Sequence, residues 1–589
     1  MLKSKKIYPG LALLIMLAVL LQACGNDTIL TLPSPTPGSA TSQTPSTTAV
    51  QTTNPATAAP PSTTDSAVST TVPPQTTVAV TTASAATTAV ATTAPATTAA
   101  LNEGSPTAAS SGTGVPRFEA ATKCPFNLPA GQTLNQTVRC GYVIVPETHA
   151  QPNNGKTLKI AVLVFKSKAT NPAEPVIYLE GGPGGHIQSI IDLMTGDFYN
   201  GFTQRGDAIF FDQRGVGNSQ PELYCPEIET QSEQDAPVIL NPTDDAQHSV
   251  DSALACHDRL AKQGVNLAAF NSVESAGDVN DIRQALGYDK INVYGASYGT
   301  ILAQTVMRLY PQIVRSTVID SVVPPNVNPD ITAIASGSRT MNLIFQTCAA
   351  DAACNRAYPN LKDLFTKTYN LLNTTQPTVK VTIPETNTTL NVKVDGSKFV
   401  SVLFQLLYDK QTIQLLPRII SLVNSGNNAI LAPLMAVPFE VNLETDLGMY
   451  FSVECAEEWP FSKLSDNQAA ESQALPEFAQ DSDIGVQSSI TLCQKWNVPA
   501  ASQAQVTLLK SDIPTLVMEG QFDPITPPEF GQKVAQGLSK SFYVEFPYNG
   551  HGEVVPDNVC GINVMKAFLD NPSSKPDSSC TSSLTIKFS

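Results

Sequence analysis

Basic residues are scarce in this chain of 589 residues, which has 35 Lys and Arg against 51 Asp and Glu and a formal net charge of -16. This balance argues against a protein that binds a nucleic-acid backbone, because such proteins cluster Lys and Arg. CxxC pairs are absent as well, so the sequence gives little support for a zinc or thioredoxin-like site. No metal or organic cofactor is indicated.

Charge of either sign is nearly missing from residues 27–116, which contain only Asp27, Asp65 and Glu103 and no Lys or Arg. The segment is mainly Thr, Ala, Ser and Pro, and no apolar period persists along it. Such a tract cannot bury enough surface to offset the entropy lost on ordering. We therefore predict a disordered tether over residues 24–116, with a composition typical of O-glycosylated stalks.

The first residues are typical of an export signal. Basic residues precede an apolar run, Leu11 to Leu21, that is shorter than the about 20 residues needed to span a bilayer. The following Ala23-Cys24 resembles the lipobox of bacterial lipoproteins, which implies removal of residues 1–23 and lipid on Cys24. The alternative is an ordinary signal with an incidental cysteine. We expect an exported bacterial membrane lipoprotein that faces the extracellular side.

Ten cysteines remain besides Cys24, and an even number in an exported chain predicts disulfide bonds. Connectivity cannot be deduced from sequence alone. Pairing each cysteine with its neighbour in the chain would close five short loops, each worth about 2–4 kcal/mol. These pairs are Cys124–Cys140, Cys225–Cys256, Cys348–Cys354, Cys455–Cys493 and Cys560–Cys580.

Short apolar runs that end in glycine-containing turns predict buried strands, and helical stretches separate some of them. Strands of this kind that alternate with helices indicate a mostly parallel sheet covered on both faces. Residues 331–505 have helix-like periodicity apart from a β-like patch at 379–394. Strand-like apolar runs occur again after residue 505. We predict one α/β domain, residues 117–330 and 506–589, interrupted by a helical insertion, residues 331–505.

Gly295-Ala296-Ser297-Tyr298-Gly299 follows one apolar run and precedes a helical stretch. This is the G-x-S-x-G nucleophile elbow in its required context of strand, sharp turn and helix. Its serine hydroxyl would stand exposed above the sheet, and the helix N-terminus would favour a developing oxyanion. We predict Ser297 as the nucleophile, with a chance surface turn as the alternative.

A serine nucleophile needs a base and an acid, and α/β-hydrolases have them in the chain order serine, acid, histidine. Of the five histidines, only His551 follows the last predicted strand, which makes it the candidate base. Asp523 follows a late strand and is the candidate acid that orients the imidazole. Asp320 is the rival acid. His186 lies near the site by position but does not fit the base role.

Glu180-Gly181-Gly182-Pro183-Gly184-Gly185 lacks the Lys and Ser/Thr of a P-loop. Beside an elbow it predicts an oxyanion hole, formed by the backbone N–H groups of Gly182 and Tyr298. The loop 212–219, Asp-Gln-Arg-Gly-Val-Gly-Asn-Ser, is expected to be structural.

Together, the motifs at 181–185, 212–219 and 295–300 and the segments of Asp523 and His551 resemble the proline iminopeptidase and tripeptidyl aminopeptidase branch of the α/β-hydrolases. The resemblance covers roughly residues 135–570. It implies a serine exopeptidase that acts at peptide N-termini under a helical cap. Glu180 stands where proline iminopeptidases usually have His, which favours the tripeptidyl-type relatives.

The same resemblance extends to Val453-Glu454-Cys455-Ala456-Glu457, which is similar to the V-x-C-x-E stretch of the tripeptidyl relatives. Glu457 takes its acidic position, and Glu454 and Glu458 are beside it. Such carboxylates would bind a peptide's α-ammonium group by charge-assisted hydrogen bonds. The alternative is a solvated acidic helix turn.

The sequence therefore favours a serine exopeptidase that acts on peptide substrates through an acyl-enzyme. A carboxylic-ester hydrolase on the same scaffold and a non-catalytic surface lipoprotein are the alternatives, because a fold alone does not fix a substrate.

Overall fold

The computed structural model describes residues 114–384 and 386–589. The predicted signal peptide, Cys24 and the tether lie outside these residues. Within the described parts, no helix combines the length and the hydropathy that a membrane crossing requires.

The core of the described structure is a nine-stranded sheet in the order β1-β2-β3-β5-β4-β6-β7-β10-β11, and β8 and β9 form a separate hairpin. The strands from β5 through β4, β6, β7 and β10 to β11 pair in parallel, whereas β1, β2, β3 and β5 pair antiparallel. The strand bounds are β1 Arg117–Ala120, β2 Val138–Pro146, β3 Thr157–Phe165, β4 Ala173–Leu179, β5 Gly206–Phe211, β6 Ile291–Ala296, β7 Val314–Asp320, β8 Thr378–Ile383, β9 Thr388–Lys393, β10 Thr515–Gly520 and β11 Ser541–Phe546.

Helices cover both faces of this sheet and fill the segment between β7 and β10. The α-helices are α1 Gln188–Asp192, α2 Gly196–Thr203, α3 Pro226–Asp235, α4 Pro242–Lys262, α5 Ser272–Leu286, α6 Tyr298–Leu309, α7 Pro329–Ala350, α8 Ala352–Ala357, α9 Leu361–Thr375, α10 Gly396–Leu406, α11 Lys410–Asn424, α12 Leu431–Leu434, α13 Val437–Leu443, α14 Leu447–Glu457, α15 Leu464–Glu471, α16 Pro476–Ala479, α17 Ser482–Trp496, α18 Pro528–Ala535 and α19 Val559–Asp570.

Strand β3 shows why the sheet has two covered faces. Alternate side chains of a strand point to opposite faces, and both sets are buried here. Ile160 and Val162 belong to the apolar cluster on one face, whereas Leu163 and Phe165 belong to the cluster on the other. The prediction of a mostly parallel, doubly covered α/β-hydrolase sheet is therefore confirmed.

The segment between β7 and β10 contains helices α7 to α17 and the hairpin of β8 and β9. It has an apolar cluster of its own, which includes Phe365, Phe399 and Leu416. The hairpin coincides with the β-like patch at 379–394. The domain limits at 330 and 505 stay predictions.

All five predicted disulfide bonds are present: Cys124–Cys140, Cys225–Cys256, Cys348–Cys354, Cys455–Cys493 and Cys560–Cys580. The bond of Cys455 to Cys493 joins α14 to α17.

Candidate active site

Ser297 stands in a strained turn between β6 and α6. Its φ of 56° and ψ of -127° are rarely adopted by a residue with a side chain, which is typical of functional positions. The flanking glycines are needed for space. A Cβ on Gly295 would lie 2.2 Å from the Gly299 carbonyl oxygen, and one on Gly299 would lie 2.1 Å from that of Leu179. The local geometry is therefore that of a nucleophile elbow.

Asp523 and His551 meet at the carboxyl ends of β10 and β11. The Asp523 Oδ2 to His551 Nδ1 distance is 2.7 Å, and the Asp523 side chain is fully buried. Thr526, which the sequence analysis missed, donates its hydroxyl to the same Oδ2 at 2.7 Å. The backbone N–H groups of Ile525 and Thr526 donate to Oδ1 at 2.9 and 2.8 Å. The carboxylate is thus fixed with one oxygen on the imidazole.

The rival acid, Asp320, has other partners. It accepts a hydrogen bond from the Tyr294 hydroxyl at 2.6 Å and others from the backbone N–H groups of Glu553 and Val554. It therefore secures the chain that follows His551, and Asp523 is the carboxylate that contacts the imidazole.

Ser297 and His551 lie at the same end of the sheet. In the described structure, Ser297 Oγ and the imidazole do not form a direct hydrogen bond. The backbone of His551 is secured by its N–H, which donates to the Tyr408 carbonyl at 2.8 Å, and Gly552 N–H donates to Ser321 Oγ at 2.7 Å. Catalytic hydrogen bonds are often long without substrate and tighten in the complex. The triad roles stay predictions.

The pKa of His551 reflects opposing effects. Burial lowers it, but the adjacent Asp523 carboxylate, with smaller contributions from Asp320 and Glu180, outweighs burial and raises the pKa above its ordinary value. An imidazole of this kind readily holds a proton taken from a serine, which suits a general base.

The Gly-rich loop lies against the elbow. A Cβ on Gly181 would be 2.9 Å from the Ser297 Cβ. The Gly181 N–H donates to Glu180 Oε1 at 3.0 Å, so this N–H group is not free to bind an oxyanion. Across the described residues, the N–H groups of Gly182 and Tyr298 make no hydrogen bond, which leaves them available for an oxyanion.

Glu180 contributes a second carboxyl group to this end of the sheet. Burial raises its pKa to about 7, against the lowering effects of the Gly181 N–H and of His551. Its Oε2 is buried without a hydrogen-bond partner in the described structure.

The loop at 212–219 has a structural role, as expected. Asp212 accepts hydrogen bonds from the backbone N–H groups of Ile187 and Asn218. The fully buried Arg214 forms a bidentate ion pair with Asp278, with N–O distances of 2.8 and 2.6 Å.

An acidic cluster, which we define as Asp330, Glu454, Glu457 and Glu458, lies near Tyr298, the residue after Ser297. The three glutamates are buried, with 5 to 7% of each exposed. Burial raises the pKa of Glu454 and Glu458 well above the ordinary range, and the neighbouring carboxylates raise both further. The Tyr298 hydroxyl is close enough that these glutamates add to burial in raising its pKa.

The three predicted amine-binding glutamates differ in their partners. Glu457 accepts hydrogen bonds from Ser272 N–H and Oγ, both at 2.6 Å. Ser272, another residue missed from sequence, also bonds the Tyr298 hydroxyl at 2.8 Å. In contrast, Glu454 Oε2 is buried with no partner among the described residues.

A cavity of about 440 Å³ borders the acidic cluster and is lined by Glu457, Glu458, Asn328 and Thr332, among others. Its volume is within the range of small-ligand pockets. Ser297 is not in its lining.

One group in the described structure has metal-ligating atoms near one another: His186, Glu222 and Asp446, within 4.8 Å. His186 Nε2 and Asp446 Oδ2 are hydrogen-bonded at 2.8 Å. That bond accounts for the closeness of His186 and Asp446, and we assign no metal.

Comparison with known proteins agrees with this geometry. A model of the alpha/beta hydrolase fold matches residues 174–417, and one of TAP-like proteins matches residues 482–580. Serine protease Hip1 of Mycobacterium tuberculosis (strain ATCC 25618 / H37Rv) is 25% identical over 461 residues, 74% of this chain and 86% of that protein. Tripeptidyl aminopeptidase of Streptomyces lividans is 34% identical over 206 residues, 33% of this chain and 37% of that protein. Putative hydrolase YuaR of Escherichia coli (strain K12) is 24% identical over 477 residues, 76% and 88% of the two chains.

The fold, the elbow and these relatives define a serine hydrolase with the α/β-hydrolase fold. Within that class, residues 482–580 are similar to the TAP-like proteins.

Proposed function

We propose that this protein is a serine exopeptidase that cleaves peptides near their free N-termini, in the manner of a tripeptidyl or prolyl aminopeptidase. Ser297 would attack the peptide carbonyl, His551 would take and return the proton, and Asp523 would orient the imidazole. The N–H groups of Gly182 and Tyr298 would stabilise the oxyanion, and water would hydrolyse the resulting acyl-enzyme.

The observation that carries the proposal is the acidic cluster beside Tyr298. Glu454, Glu457 and Glu458 are buried together, and such carboxylates are costly to ionise unless a cation joins them. A peptide's α-ammonium group supplies that cation, so a site of this kind would select free N-termini.

Within the cluster, we propose Glu454 and Glu458 as the main amine ligands. Glu454 has a buried oxygen without a partner among the described residues, and Glu458 lines the cavity. Both oxygens of Glu457 accept hydrogen bonds from Ser272, so its contribution to amine binding is secondary.

The test is a matched pair of tripeptidyl anilides, one with a free N-terminus and one acetylated. A lost charged hydrogen bond costs about 1.5–3 kcal/mol, so Glu458→Gln should raise KM for the free peptide roughly 10- to 150-fold. The acetylated peptide should be a poor substrate of both proteins.

Glu471→Gln is the matched control, because Glu471 lies on α15 and bonds Ser482 and Asn467. It should leave KM unchanged. Equal activity of the wild type on free and acetylated peptides would refute the proposal.

The alternative is a carboxylic-ester hydrolase, because one fold serves many substrates. Simple nitrophenyl esters distinguish the two: a kcat/KM for esters far above that for free tripeptidyl anilides would favour the esterase. A wild type inactive on both would favour a non-catalytic surface lipoprotein.

We also propose that Cys24 carries the lipid that attaches the protein to the extracellular side of a bacterial membrane. The support is the lipobox-like Ala23-Cys24 after the apolar run and the tether that follows it.

A further inference from the structure

Helix α14 (Leu447–Glu457) and the residues just before it contact both loops that carry the proposed oxyanion donors. Segment 444–446 contacts the Gly-rich loop of Gly182, and Glu457 at the other end of the helix contacts Tyr298 through Ser272.

The first contact is made by backbone atoms. Asp446 N–H donates to the Gly184 carbonyl at 2.9 Å, and His186 N–H donates to the Glu444 carbonyl at 3.1 Å. These bonds pair segment 444–446 with the Gly-rich loop and limit how far that loop can move.

The Asp446 side chain reinforces the same contact. Asp446 occupies the N-cap position of α14, yet within the described structure its side chain caps nothing there. Oδ2 accepts hydrogen bonds from His186 Nε2 at 2.8 Å and from Gly217 N–H at 2.7 Å instead. Gly184, with φ of +89°, approaches so closely that a Cβ would lie 2.6 Å from the Asp446 carbonyl oxygen. The fully buried Asp446 thus joins two loops of the core to the helical segment.

The second contact is made at the other end of α14. Glu457 receives both hydrogen bonds of Ser272, and Ser272 Oγ bonds the Tyr298 hydroxyl. All three residues are buried. The side chain of the residue after the nucleophile is therefore held by the same helix.

We infer that α14 and its N-terminal flank position both donors of the oxyanion hole, Asp446 through the Gly182 loop and Glu457 through Tyr298. The inference rests on the proposed hydrolytic function. Asp446 and Glu457 are positioning residues, since Asp446 acts through the Gly-rich loop and Glu457 acts through Tyr298. Glu454 is on the same helix and Glu458 directly follows it, so the proposed amine site and the oxyanion hole share one support.

The test measures the rate constant at which a fluorophosphonate modifies Ser297, because the tetrahedral adduct places an oxygen in the hole. Removal of an oxyanion donor costs about 10²–10³ in rate, and a displaced donor costs less. Asp446→Ala, which removes the acceptor of both side-chain hydrogen bonds, and Glu457→Gln should therefore slow phosphonylation and kcat by about 10- to 100-fold. In Asp446→Ala, KM for the free tripeptidyl anilide should change less than about threefold.

A second pair of variants separates positioning from general damage to the fold. His186→Gln keeps an N–H donor near the position of Nε2, whereas His186→Ala removes it. We expect His186→Gln to keep most of the phosphonylation rate and His186→Ala to lose as much as Asp446→Ala.

Asp395→Ala is the matched control, because Asp395 caps α10 in the same segment through Lys398 N–H. Wild-type phosphonylation rates in Asp446→Ala and Glu457→Gln would overturn the inference, and so would equal slowing in Asp395→Ala. The probe reacts whatever the natural substrate is. A wild type that is phosphonylated but does not cleave free-amine peptides would refute the exopeptidase proposal alone.

Discussion

Replacing Asp523 with Asn should place the imidazole of His551, the proposed base, in the wrong tautomer. Oδ1 of Asp523 accepts two backbone N–H groups, from Ile525 and Thr526, so the oxygen of an asparagine must stay there. The amide nitrogen then faces His551 Nδ1, which must accept its hydrogen bond. The single proton of the neutral imidazole must then be on Nε2, and a protonated Nε2 cannot accept a proton from Ser297.

A triad histidine held in this tautomer loses about 10⁴ in kcat, or about 5 kcal/mol of transition-state stabilisation. We expect this loss in Asp523→Asn, measured as kcat on a free tripeptidyl anilide, with the fold intact by circular dichroism.

Asp320→Asn is the comparison, because Asp320 is buried nearby but bonds Tyr294 and the backbone after His551. It should lower the unfolding temperature and cost far less in kcat. A loss below about tenfold in Asp523→Asn would refute the reasoning, and a loss near 10⁴ in Asp320→Asn alone would make Asp320 the acid.

Three further predictions concern stability and location. Burial raises the pKa of Glu457 from 4.5 to about 7, so the folded state binds this proton more tightly than the unfolded state does. The free energy of unfolding should therefore fall by about 3 kcal/mol as the pH rises from about 4.5 to about 7. The free energy of unfolding, measured in urea, should depend less on pH in Glu457→Gln than in the wild type. The same pH dependence in both proteins would contradict the prediction. Replacing Cys455 and Cys493 by Ala should lower the free energy of unfolding by about 2–4 kcal/mol, and an unchanged urea midpoint would count against it. Cys24→Ala should release the protein from the membrane fraction, and retention there would disprove the lipid anchor.

The sequence was sufficient for features set by local pattern. The apolar runs predict most strands of the sheet, and the strand, turn and helix around Ser297 predict the elbow. The late strands locate Asp523 and His551. In each case a short stretch of chain contains the signal.

The elements that the sequence analysis missed have weak local signals. Strand β1 has only four residues, two of them exposed, and α3 buries no residue. The partners of the site are missed for another reason: His186 and Asp446 are 260 positions apart, and Ser272 and Glu457 are 185 apart. Asp446 precedes a helix, where sequence rules predict a cap. Only the folded chain shows that its carboxylate bonds two loops of the core instead.

Covalent trapping of the nucleophile tests the central claim most directly. The wild-type protein is treated with a fluorophosphonate, digested and analysed by mass spectrometry beside Ser297→Ala. The account predicts one adduct per chain, located on Ser297, together with loss of tripeptidyl-anilide hydrolysis, and no adduct in the variant. An adduct on another serine, or hydrolysis that persists in Ser297→Ala, would contradict it.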